Sequence, residues 1–184
     1  EMENLRTDIA NQQEYLDHSI WINMSPYDVC EARADLFVST GYQIMPGMEY
    51  QNRDNTDTIL QAYQSLLTSS AVLEDVAKQV KTEPRYLEEL VEVTIGANQD
   101  GQLNRMLTID VKHTTKEDAK EVLDAFLAHV DDMHDRIATS IGEHTVSIVN
   151  ESVSALVNLN LAELQRQQTE KLTTLNDSLR TKRM

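Results

Sequence analysis

The chain has 184 residues and a formal charge of −15, from 16 basic and 31 acidic side chains. That balance argues against a nucleic-acid partner, because no basic stripe offsets the acidity, and against broad adsorption to an anionic membrane surface. Aromatics are only 5% of the residues and Cys30 is the one cysteine, so an intrachain disulfide is excluded. No His or Arg closely flanks Cys30. It reads as a small buried hydrophobe rather than a nucleophile, and it leaves the compartment open.

Met2, Leu5, Ile9, Gln12 and Leu16 recur at steps of three and four, a narrow helical seam of the coiled-coil type. Ile20, Trp21, Ile22 and Met24 thicken the apolar content, and Ser25-Pro26 is expected to end the helix. Trp21 reads as a packing anchor where helix meets domain. Ala34, Leu36 and Val38 alternate with Asp35, Phe37 and Ser39, which predicts a first strand. Residues 41–55, with Pro46 and Gly47, read as a loop. Asn55 or Thr56 is expected to cap a helix carrying Ile59, Leu60, Tyr63, Leu66 and Leu67. A short helix with Leu73, Val76, Ala77 and Val80 follows, then another opened by Thr82-Glu83-Pro84.

Val91, Val93 and Ile95 alternate with Glu92 and Thr94, giving a second strand. The loop GANQDGQ reverses the chain into a third, on which Leu107, Ile109 and Val111 share a face. The period then changes. Ala119, Val122, Leu123, Phe126, Val130, Met133 and Ile137 form one helical stripe, started by a capping-box-like Thr115 and Asp118. This strand, turn and helix are the unit around which the rest is placed. HTVSIVNESV, from His144 to Val153, reads as a fourth strand with a bulge, because its apolar residues change parity after Ile148. Leu161, Leu164, Gln168, Leu172, Leu175 and Leu179 form a second narrow seam.

The expected fold is therefore α+β. A small mixed sheet of about four strands is packed by helices in a domain over 26–154. The helices of 1–25 and 155–184 project from it as an antiparallel coiled-coil pair. Their charges favour this pairing. Residues 1–25 sum to −4 and residues 155–184 to +2. Both ends of the chain lie within helical patterns, which reads as a piece of a longer protein. No run of about 20 apolar residues and no signal-peptide pattern is present.

Chemical motifs are sparse. There is no Gly-rich phosphate loop, no G-x-S-x-G, no C-x-x-C and no H-E-x-x-H. The best metal candidate is HVDDMHD. His129 and Asp132 are three apart on a helix, whereas His129 and His134 are five apart and face away from each other. The reading is a solvated acidic face, with no metal bound. Glu88-Glu89 and Asp131-Asp132 read as surface. No catalytic, cofactor or metal site is read, and no enzymatic activity.

From 57 to 136 the chain resembles the Wzz-like chain-length-determinant family, the polysaccharide co-polymerases of bacterial envelopes. The resemblance is carried by TDTILQAYQSLLTSSAVLEDVAKQVK, LEELVEVTIG and MLTIDVKHTTKEDAKEVLDAFLAHV, preceded by ADLFVST. The opening QQEYLDHSIWINMSPYDVCEARADLFV is similar to the variant found in Gram-positive envelopes. The proline-rich segment usual before the second membrane helix is absent from this sequence. The resemblance implies an extracytoplasmic domain between two flanking membrane helices that lie outside this sequence. It also implies a homo-oligomer that sets polymer length or supports export, in contact with the polymerase or the growing glycan. The expected mechanism is geometric, a ring of copies presenting a shared surface. The alternative is a coiled-coil adhesion or assembly module of the envelope with no glycan role. A hydrolase built from scattered carboxylates is a third reading.

Overall fold

The computed structural model describes residues 1–41 and 54–182; most of the expected loop over 41–55 lies outside them. Six helices and four strands follow one another. They are α1 (Met2–His18), β1 (Val29–Thr40), α2 (Thr56–Leu67), α3 (Ser70–Gln79), α4 (Pro84–Glu88), β2 (Val91–Ala97), β3 (Leu103–His113), α5 (Lys116–Ser140), β4 (His144–Leu156) and α6 (Leu159–Thr181). The fold is α+β, as the periodicities predict. The sheet has the order β2-β3-β1-β4, and every neighbouring pair is antiparallel. The expected mixed sheet is thus corrected. The connection from β2 to β3 is a tight reversal closed by Gly101 at φ +80°. The longer connections return the chain without a parallel pairing.

Directly opposed residues in an antiparallel ladder share a face. Ala34 opposes Ile109 and Leu36 opposes Leu107, while Val93 opposes Ile109 from the other side. These residues are buried under α2 and α5. The alternate residues Glu31, Arg33 and Asp35 oppose Lys112, Asp110 and Thr108, and form a second, polar face. The main core therefore lies on one side of the sheet. The stripe of α5 lands there complete: all seven of its apolar residues are buried. Its start is as expected, with the Asp118 N–H donating to Thr115 Oγ1 at 3.1 Å and the Thr115 hydroxyl donating to Asp118 Oδ2 at 2.7 Å.

Some boundaries and one cap differ from the sequence reading; β4, for one, runs on past Val153 to Leu156. β1 begins at Val29 rather than Ala34, because β3 and β4 pair along both its edges and impose extended backbone on residues of weak strand preference. α1 ends at His18, before Ser25-Pro26. Ser19 takes extended dihedrals there, and its Oγ accepts the Ile22 N–H while donating to Glu89 Oε2 at 2.7 Å. α2 is not capped by the side chain of Asn55 or Thr56. Asp54 Oδ1 accepts instead from both the N–H and the hydroxyl of Thr56. The bulge in β4 is present. Asp35 opposes Asn150 and Leu36 opposes Ile148, so Val149 is the extra residue.

α1 and α6 lie side by side and run in opposite directions. Gln12 Nε2 donates to the backbone oxygen and to Oε1 of Gln168, at 3.1 and 3.0 Å, and Lys182 Nζ is 2.5 Å from Glu1 Oε1. Gln12 is buried, so its amide needs these partners. The base of the pair is tied to the domain. Tyr15 OH donates to Glu89 Oε1 at 2.6 Å, and Gln165 donates to the carbonyls of Ile22 and Met24. A second small core of Met24, Val29, Leu90 and Leu161 sits at this junction, with Trp21 packed against it as an anchor. Between the Gln12–Gln168 and Glu1–Lys182 contacts, Ile9 and Leu172 fall at the same level. With Cys30→Ser as background, Ile9→Cys and Leu172→Cys should crosslink within one chain at low protein concentration. Crosslinks formed only between chains would show that the helices pair between subunits.

Candidate functional site

Two places gather polar side chains. The first is at the C-terminal end of α5, where the chain turns through Gly142 into β4. His144 Nδ1 is 2.9 Å from the Gly142 carbonyl, which only accepts, so Nδ1 carries the proton. With the proton on Nδ1, Nε2 of the neutral ring accepts from Tyr63 OH at 2.6 Å. Tyr63 is fully buried on α2, and desolvation, helped by the Asp131 charge, pushes its hydroxyl up to about 12. His134 stands beside His144, with ring centroids 4.6 Å apart. Its Nε2 donates to the His144 carbonyl at 2.9 Å. That bond, followed by the one to Asp135, raises the His134 pKa above its ordinary value. An open depression of about 380 Å3 lies over this group, lined by Val130, Asp131, His134, His144, Thr145 and Val146.

The second place is the polar face of the sheet. Asp35 accepts from Thr108 Oγ1 at 2.7 Å, from Asn150 Nδ2 at 3.0 Å and from Arg33 Nε at 3.2 Å. Burial acts to raise its pKa, but these three donors outweigh it and the net shift is downward. Asp110, across from Arg33, has the opposite balance. Burial first, and then the Glu31 charge, raise its pKa, and its Oδ1 is buried without a hydrogen-bond partner. Arg33 reaches its other oxygen only at 3.8 Å. The two carboxylates are pushed apart in acidity, as an acid and base pair would be. They sit on the polar face of the sheet, however, and the depressions lined by His134 and His144 and by His113 and Lys81 include neither of them.

The difference between these carboxylates gives a pH-dependent prediction. The raised pKa of Asp110 means that the folded state binds its proton more readily than the unfolded chain does. Its cost to stability is therefore absent below about pH 4 and grows as the pH rises through the raised value. Asp110→Asn should stabilise the protein at pH 7, by about 0.5–1 kcal/mol, and have little effect at acid pH. Asp35 has a lowered pKa, so its contribution is present above the ordinary carboxylate range and lost as the pH falls. Asp35→Asn should destabilise at pH 7 and lose its effect in acid. Urea unfolding of both variants at several pH values checks the signs. A destabilising Asp110→Asn would show that the Arg33 contact outweighs desolvation.

The metal candidates of α5 do not converge. His129 Nε2 lies 3.1 Å from Asp75 Oδ2 on α3, out of line for a hydrogen bond, while His134 turns to β4 and Asp132 is exposed. Among the described residues no group of three His, Cys, Asp or Glu side chains is placed to hold a metal ion. Cys30 is buried, its Sγ 3.7 Å from the Thr114 carbonyl, and burial raises its pKa. Glu89, read as surface, is instead the acceptor for Tyr15 and Ser19. The sequence reading missed the Tyr63–His144 pair, whose members are 81 positions apart. It also missed the network around Asp35, although the alternating charges Glu31, Arg33 and Asp35 mark that face.

No protein-family model matches the chain, and no curated protein matches it. Among solved structures, the chain is similar to AtUAH in complex with (S)-hydroxyglycine and to AtUAH in complex with glyoxylate. Each match has 14% identity and a TM-score of 0.32, and covers 81% of this chain and 32% of that one. The chain spans about a third of the length of those structures, and a likeness at that score carries no inference about activity. No helix among the described residues is long and apolar enough to cross a membrane.

Proposed function

We propose that this chain is the extracytoplasmic domain of a membrane-anchored regulator of polysaccharide chain length or export, working as an oligomeric scaffold and not as an enzyme. The reading begins with the resemblance over 57–136, whose segments fold here as α2, α3, α4, β2, β3 and α5 around one core. The observation that carries it furthest is the meeting of Glu1 and Lys182 at the far end of the α1–α6 pair. Segments continuing from the two ends would leave side by side, as two flanking membrane helices require. The helix pair would then act as a coiled-coil stalk holding the α+β domain off the membrane.

A scaffold needs a fixed relation between stalk and domain more than it needs a reactive cleft. The Glu89 hydrogen bonds and the Gln165 bonds supply that relation here. In the organism of origin, deletion of the coding region for residues 1–182 from the full reading frame should shift the modal length or the amount of surface polysaccharide on a gel. An unchanged length distribution and amount would overturn the reading and favour an envelope assembly module without a glycan role.

A further inference from the structure

β4 is an edge strand, and its surface differs from the rest of the molecule. α5 covers the sheet over β1 and β3, whereas the residues of β4 from Ser147 to Ala155 are exposed and α5 reaches them through the Lys120–Glu151 pair. Ile148 and Val153, opposite the buried Leu36 and Ala32, lie on the core side of the sheet and are nevertheless exposed. Tyr27, Val157 and Leu159 continue this strip past the end of the strand, where the Asn158 N–H bonds to the Pro26 carbonyl. With Val149 these six side chains are 38% to 71% exposed, and Met2 is the one other large exposed apolar side chain among the described residues. An apolar patch of this kind on an acidic chain marks a contact surface.

We infer that the β4 strip, with Tyr27, Val157 and Leu159, is a two-fold interface with a second copy of this chain. Two observations choose that occupant. The first is the distribution of apolar surface. A head-to-tail contact between copies needs a second patch to receive the first, and no other such patch exists among the described residues. A patch meeting its own copy across a two-fold axis needs none. The second is charge. Two chains of −15 repel wherever their acidic surfaces meet. From Thr145 to Leu159 the one charged side chain is Glu151, which is paired with Lys120 at 2.6 Å. β4 also lacks the lysine or proline that commonly blunts an edge, and its protection is limited to the bulge at Val149 and the core-side Glu151. The inference rests on the surface of β4 alone; a two-fold contact joins copies in pairs and does not by itself close a ring.

Sedimentation velocity of the 184-residue chain, from about 1 to 200 µM, reads the assembly directly; weak specific contacts fall in this range. The expected result is a monomer–dimer equilibrium. Val153→Glu adds a like charge on each side of the axis and should raise the dissociation constant about tenfold or more. Thr173→Glu, on the exposed side of α6, adds the same charge elsewhere and should leave it unchanged. Hydrogen exchange of the unmodified chain supplies a test independent of any variant's folding, since amides from Ile148 to Val157 should gain protection as concentration rises. A monomer throughout the range, a dimer indifferent to Val153→Glu, an open-ended series of larger species, or protection gained elsewhere would each overturn the interface. None of these outcomes bears on the polysaccharide assay, so the two readings fail separately.

Discussion

Phe126→Ala is expected to destabilise the protein by about 3–5 kcal/mol, the largest effect of any substitution considered. Phe126 is fully buried at the middle of the α5 stripe. It belongs to the same core as Leu123 and Val130 on its own helix, Ala34 and Ile109 on the sheet, and Ile59 and Tyr63 on α2. The strand positions beneath the helix at Ala32 and Ala34 are small, so no large side chain stands ready to fill the space left by the ring. The loss then includes both the transfer of the ring and a cavity that only partly closes. Equilibrium unfolding in urea measures it, with a lower midpoint and a slope close to that of the parent. A loss below about 1 kcal/mol would mean that α5 does not lie on the sheet as described.

Tyr63→Phe should cost about 1–3 kcal/mol although it removes one oxygen atom. The hydroxyl is the donor to His144 Nε2, in a site where both residues are buried. Without it the imidazole keeps its Nδ1 bond to the Gly142 carbonyl, and Nε2 is left with no donor inside the protein. An unsatisfied buried acceptor costs more than the net worth of the bond that was lost. Replacing both partners separates these contributions. Tyr63→Phe combined with His144→Leu should lose less than the sum of the single changes, with a coupling of about 0.5–3 kcal/mol. Additive losses would show that the two side chains do not depend on each other.

The sequence by itself determined each period and most element boundaries. Leu107, Ile109 and Val111 alternate because a pleated strand turns successive side chains to opposite faces. The stripe from Ala119 to Ile137 recurs because a helix turns every 3.6 residues. Such patterns depend on near neighbours in the chain, and so do the Thr115 cap and the parity change that located the bulge near Val149. The tertiary structure alone decided the order β2-β3-β1-β4 and its antiparallel sense. It also extended β1 back to Val29, since Cys30, Glu31, Ala32 and Arg33 become a strand through partners on both sides. The candidate sites needed it as well. Asp35 is held by Thr108 and Asn150 from two other strands, and Asp110, opposite Arg33, keeps Oδ1 buried without a hydrogen-bond partner. Their opposite acidities, the Tyr63–His144 bond and the bare strip on β4 all arise from distances between residues far apart in the chain. Local spacing carries no record of those distances, because they are set by how the helices cover one face of the sheet and stop short of its edge.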